Sequence, residues 1–135
     1  MTTLHSYFSY RDASAALDWL TRAFGFEITA RYDDESGQVA HAELRPDDAA
    51  IIVFSDAGAG YDHPTPRADT VGHGTYFAMP SEDGVNAVWE RAMAAGATPV
   101  WKPEASEWNY RCRVLDPEGY EWTFGMYRPG LPASW

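Results

Sequence analysis

The chain repeats itself once. His5-Ser6-Tyr7-Phe8 near its start is answered by His73-Gly74-Thr75-Tyr76-Phe77, and the stretch from Ala16 to Gly25 by the stretch from Ala87 to Gly96. The offset is about 70 residues, too long for the stacked units of a solenoid, so one module has been duplicated within the chain. Whatever fold the chain adopts must therefore be one that a single module of roughly half its length can build and then build again.

Each module reads strand, helix, strand, strand, strand. Thr3 to Tyr10 is rich in β-branched and aromatic residues and predicts a strand. Asp12 is placed to cap a helix, and Ala13, Ala16, Leu17, Leu20 and Phe24 recur at helical spacing up to Gly25. Strands are expected at Phe26 to Tyr32, Val39 to Arg45 and Ala50 to Ser55, with the polar run around Gly37 as a turn. The order then restarts with a strand at Val71 to Met79. A helix capped by Ser81 follows, carrying Glu82 and Asp83 in its first turn, where the helix dipole favours acids. Strands follow at Thr98 to Lys102, Tyr110 to Leu115 and Tyr120 to Tyr127, and Asp116-Pro117-Glu118-Gly119 makes the turn between the last two. The expected class is α+β, with two βαβββ modules at 1–56 and 70–128, a Gly- and Pro-rich linker at 57–69 and a tail at 129–135. A sheet covered by its helix on one face leaves the other face to be covered, and two such modules are expected to enclose a cavity.

Charge narrows the partners. Ten basic residues against twenty acidic ones give a formal charge of −10, which repels phosphate backbones and anionic lipid. Nucleic-acid and membrane partners are therefore not expected, and a small-molecule ligand is. No secretory pattern is visible at the N-terminus and Cys112 is the one cysteine, so a cytoplasmic protein is expected.

Leu4-His5, Arg11-Asp12, Ala23-Phe24-Gly25-Phe26, Gly72-His73 and Asp116-Pro117-Glu118-Gly119-Tyr120, taken in this order, resemble the vicinal oxygen chelate superfamily of glyoxalases, bleomycin-resistance proteins and dioxygenases. That resemblance implies a single two-module domain spanning 1–135 and a homodimer. In the enzymes of the family it implies a divalent metal held by side chains from four strands. His5 and His73 fall on two of the ligand positions. The other two are carboxylates in glyoxalases, and here the fourth strand offers Val53 and no acid, while Thr123 stands where the eighth-strand glutamate would be.

Strand alternation supplies substitutes. Glu121 lies two residues before Thr123, and His41 and Glu43 alternate with small or apolar residues, so all three are expected on the faces away from the helices. A metal, if present, would be held by His5, His73 and Glu121, with Glu43 and His41 as lesser candidates; none is favoured, because a neutral threonine is a weak ligand. On that arithmetic Thr123→Glu should raise metal affinity. Tyr7 and Phe77 are expected to line the cavity beside the two histidines. Trp101, Trp108 and Tyr110 are expected around a loop at Lys102-Pro103-Glu104, offering an aromatic plate to a ligand. His63 is expected in solvent, Cys112 buried, and Arg111 and Arg113 are the basic residues nearest the eighth strand. Beside a physiological ligand unrelated to either, which fold and family alone leave open, there are two functions. One is a binding protein of the bleomycin-resistance kind, without metal or other cofactor. The alternative is a metal-dependent glyoxalase- or dioxygenase-type enzyme using His5 and His73.

Overall fold

The computed structural model describes residues 1–64, 70 and 72–131, and the chain divides into two compact units, Met1–Thr65 and Pro66–Trp135. The division falls inside the segment expected as a linker.

The first unit comprises β1 (Tyr7–Tyr10), α1 (Ala13–Phe24), β2 (Glu27–Asp33), β3 (Val39–Arg45) and β4 (Ile51–Ser55). Its sheet runs β1-β4-β3-β2, with β1 parallel to β4 and the other neighbours antiparallel. The helix begins where Asp12 Oδ1 accepts the Ala15 N–H at 3.0 Å. It ends at Gly25, whose φ of 74° is left-handed and suits a residue without Cβ. Leu17, Leu20 and Ala23 on α1 are fully buried with Ala42, Leu44 and Val53 of the sheet, and these define the helix-side core.

The second unit repeats the plan: β5 (Thr75–Ala78), α2 (Glu82–Ala94), β6 (Thr98–Ala105), β7 (Tyr110–Leu115) and β8 (Glu121–Gly125), ordered β5-β8-β7-β6. Ser81 Oγ accepts the Gly84 N–H at 3.1 Å and caps α2. Val85, Val88 and Ala92 of α2 are buried, as are Cys112, Val114, Trp122 and Phe124 of the sheet. Trp89 and Ala95 are half-buried. Burial pushes the Cys112 thiol up to about 12, so it stays protonated at neutral pH and behaves as a small apolar side chain.

The expected loop at Lys102-Pro103-Glu104 is instead part of β6. The register slips between Trp101 and Glu104, which marks a bulge, and β6 is an edge strand. A proline that cannot donate to a ladder is accommodated in such a place. β1 and β5 are shorter than expected, because the residues before Tyr7 and Thr75 lie outside the regular ladder.

The Asp116 turn anchors the second unit. Asp116 Oδ1 accepts the N–H groups of Glu118 and Tyr120, both at 3.0 Å. Its Oδ2 accepts the Trp122 indole N–H at 3.0 Å. Gly119, at φ 94°, closes the turn.

Candidate functional site

Each sheet has one face against its helix and one away from it, and alternation assigns every strand residue to a side. On β7 and β8, Cys112 pairs with Phe124 and Val114 with Trp122 on the helix side. Arg113 and Thr123 form the next pair, on the opposite face. That face of the second unit carries the most chemistry.

Its centre is Arg113. Nε donates to Thr123 Oγ1 at 2.7 Å, and Nη1 donates to Thr70 Oγ1 at 3.0 Å. Nη1 also stands 3.3 Å from Glu121 Oε2. The guanidinium carbon lies 3.8 Å from the centre of the Trp101 ring, and that of Arg111 lies 4.4 Å from the same ring. Arg111 Nη1 reaches Glu104 Oε1 at 3.4 Å. Two cations thus share one indole, and among the described residues each has one carboxylate partner. Burial lowers the Arg113 pKa; Glu121 opposes that shift, and Arg111 adds to it.

Glu121 and Thr123 are both buried and share this face, as alternation predicts. The place expected for His73 is different. Tyr76 is the strand partner of Thr123 and Phe77 that of Phe124, so Tyr76 belongs to the face away from the helix and Phe77 to the helix side. Tyr7 and Phe8 divide in the same way: Phe8 is buried and Tyr7 exposed. The repeats therefore align Tyr7-Phe8 with Tyr76-Phe77, and the residue equivalent to His5 is Gly74. His73 stands one residue further out, exposed. No side chain fits at Gly74. A Cβ there would come within 2.7 Å of the Glu121 backbone oxygen and 3.0–3.1 Å of its side-chain carbons.

The same parity corrects Phe77, whose ring stacks on Trp122 and Phe124 at 6.1 and 5.4 Å in the helix-side core. Tyr110 is corrected too, because its hydroxyl donates to Asn86 Oδ1 of α2 at 2.6 Å. Trp108 is exposed at the β6–β7 turn, edge-on to Tyr127 with ring centres 5.0 Å apart, so the three aromatics expected together are dispersed and Trp101 alone joins the site. Tyr76 is the residue that sequence reasoning missed. Its hydroxyl donates to the Tyr127 carbonyl at 2.7 Å and accepts from Asn109 Nδ2 at 3.3 Å. The repeated Tyr-Phe pair was the signal that could have found it.

In the first unit, the register Tyr7↔Ile52 continues back to His5 beside Ala50. His5 Nδ1 lies 2.8 Å from the Ala50 carbonyl, which can only accept, so Nδ1 carries the proton. Nε2 then accepts from the Thr3 hydroxyl at 2.8 Å. His41 Nε2 and Glu43 Oε2 are 2.7 Å apart, and both side chains are part-exposed on the face away from α1. Val53 is on the helix side, and the β4 residues on the opposite face are Ile52 and Phe54, neither of them an acid. His63, expected in solvent, has a side chain only 2% exposed and reaches Asp56 Oδ2 at 3.1 Å. The Gly58 N–H and, to a lesser degree, His63 hold Asp56 below the usual carboxylate range.

The donor set does not fit the metal that glyoxalase-type enzymes hold. In the second unit the histidine position is Gly74, the glutamate position is Thr123, and Thr123 is bonded to a cation. Glu121 is already neutralised by Arg113. Taking it away would strand a buried charge at a cost of about 3–5 kcal/mol. Among the described residues, no three His, Cys, Asp or Glu side chains gather as a metal-binding group.

Comparison with known proteins places these observations. The profile of the Glyoxalase/Bleomycin resistance protein/Dioxygenase superfamily matches residues 4–124. An uncharacterised protein of Mycobacterium bovis is 28% identical over 116 residues, covering 85% of this chain and 76% of its own. The crystal structure of TioX from Micromonospora sp. ML1 superimposes with a TM-score of 0.70 at 26% identity, covering 95% of this chain and all of that one. Lactoylglutathione lyase from Agrobacterium tumefaciens does so with a TM-score of 0.65 at 19% identity, covering 92% of each chain.

Proposed function

Because the chain belongs to the Glyoxalase/Bleomycin resistance protein/Dioxygenase superfamily, we propose that it binds a small organic molecule without a metal, on the face of the second sheet that carries Arg113. One observation carries this reading: the Arg113 guanidinium donates to Thr123, the residue at the position of the family's metal-binding glutamate. A fixed cation there repels a second cation and offers hydrogen bonds to a ligand's oxygen atoms. Tyr76, Trp101 and Thr123 supply the surrounding surface, half-buried or buried.

The structure also alters what a restored carboxylate should do. At Thr123 it would meet Arg113, so Thr123→Glu should form an ion pair and leave metal affinity unchanged.

Elemental analysis of protein purified without an affinity tag, followed by calorimetric titration with zinc and nickel, tests the reading. We expect no stoichiometric metal and no saturable binding in wild type or Thr123→Glu. One metal per chain, lost in His5→Ala, would transfer the assignment to a metal-dependent enzyme. The same reading includes a cytoplasmic homodimer, and light scattering at micromolar concentration should give about twice the chain's 15.1 kDa; a monomer mass removes that part.

A further inference from the structure

We propose that Arg111 and Arg113, stacked on Trp101, form an anion site for a small organic acid, with Glu104 as the resident counter-ion that an incoming carboxylate displaces. The proposal rests on the metal-free reading above and names its ligand class.

A chain with ten basic and twenty acidic residues sets two arginines two positions apart on one strand, over one ring. Like charges so close repel, and a fold that needed only to cover Trp101 could do so with one of them. Their hydrogen-bonding capacity is also underused. Among the described residues, Arg113 bonds through Nε and Nη1, and Arg111 through Nη1 alone. Arg113 Nη2 and Arg111 Nε and Nη2 remain as donors, and guanidinium forks match carboxylates in shape.

The two counter-ions differ in kind. Glu121 is buried and its side chain is 3% exposed, so its pairing with Arg113 is fixed. Glu104 is directly across the ladder from Arg111, its side chain is 52% exposed, and the contact is a long 3.4 Å. An exposed ion pair of this sort contributes little to stability. Glu104 can therefore swing into solvent and be replaced by a better-bonded carboxylate. The bulge at Pro103 turns Glu104 onto the same face as Trp101.

The test uses the full chain, benzoate as the acid, benzamide as its neutral isostere and inorganic phosphate as a second oxyanion, followed by tryptophan emission. We expect benzoate to bind and benzamide not to. Glu104→Gln, which removes the competitor, should tighten benzoate about threefold to fivefold, and Arg111→Gln should weaken it by at least a similar factor. Both side chains reach solvent, and an unchanged circular dichroism spectrum confirms that the variants fold. The proposal is overturned if Glu104→Gln leaves benzoate affinity unchanged, or if phosphate binds and benzoate does not. A metal-free chain that holds benzamide as tightly as benzoate also overturns it, while the binding reading survives. A stoichiometric metal removes the binding reading itself.

Discussion

Asp116→Ala should destabilise the second unit by about 3 kcal/mol or more, and Asp116→Asn by roughly half as much, in urea unfolding followed by tryptophan emission. The carboxylate is 1% exposed and accepts three N–H groups. Alanine removes all three bonds and leaves the Trp122 indole N–H, itself fully buried, without its acceptor. Asparagine keeps an oxygen for the two backbone donors but turns an N–H2 group towards the indole or the turn. A change below about 1 kcal/mol for alanine would mean that the turn is held by Pro117 and Gly119 alone.

The second large effect separates two adjacent residues. Gly74→Ala should cost about 2–3 kcal/mol, because its Cβ would meet the Glu121 backbone oxygen at 2.7 Å and backbone cannot move aside as a side-chain tip can. His73→Ala, at an exposed position, should stay within about 0.5 kcal/mol of wild type. Thermal unfolding of the pair decides the register. Equal effects, or a larger one at His73, would return the histidine to the strand face from which the structure excludes it.

That histidine illustrates where reading the sequence succeeded and where it stopped. Helix caps at Asp12 and Ser81, the left-handed Gly25 and the Asp116 turn each have a local cause, and each was legible. So were the sides taken by His41, Glu43, Glu121 and Thr123, since alternation needs only the strand itself. The match between the two histidines was a match of letters. Between His73 and the Tyr-Phe pair there are two residues, and between His5 and its Tyr-Phe pair only one. In a strand that difference inverts the face, and it misplaced Phe77 as well. Tyr110 failed differently: its partner, Asn86, lies 24 residues earlier on another element. The stack of Arg111 and Arg113 on Trp101 likewise depends on the pairing of β6 with β7 across a bulge, which no local pattern specifies.

The parallel pairing of β1 with β4, and of β5 with β8, bears on how the chain is assembled as well as on what it binds. In both units the opening strand waits for the closing one, since Tyr7 meets Ile52 and Tyr76 meets Thr123. Joining ends roughly 45 residues apart costs about 3 kcal/mol of chain entropy by the logarithmic loop term, before its constant is added. The antiparallel neighbours are connected by short turns and close far more cheaply. During synthesis the first strand thus remains an unpaired edge until β4 emerges, and the second unit repeats the same delay. Both long closures lie within a unit, so neither must wait for the other.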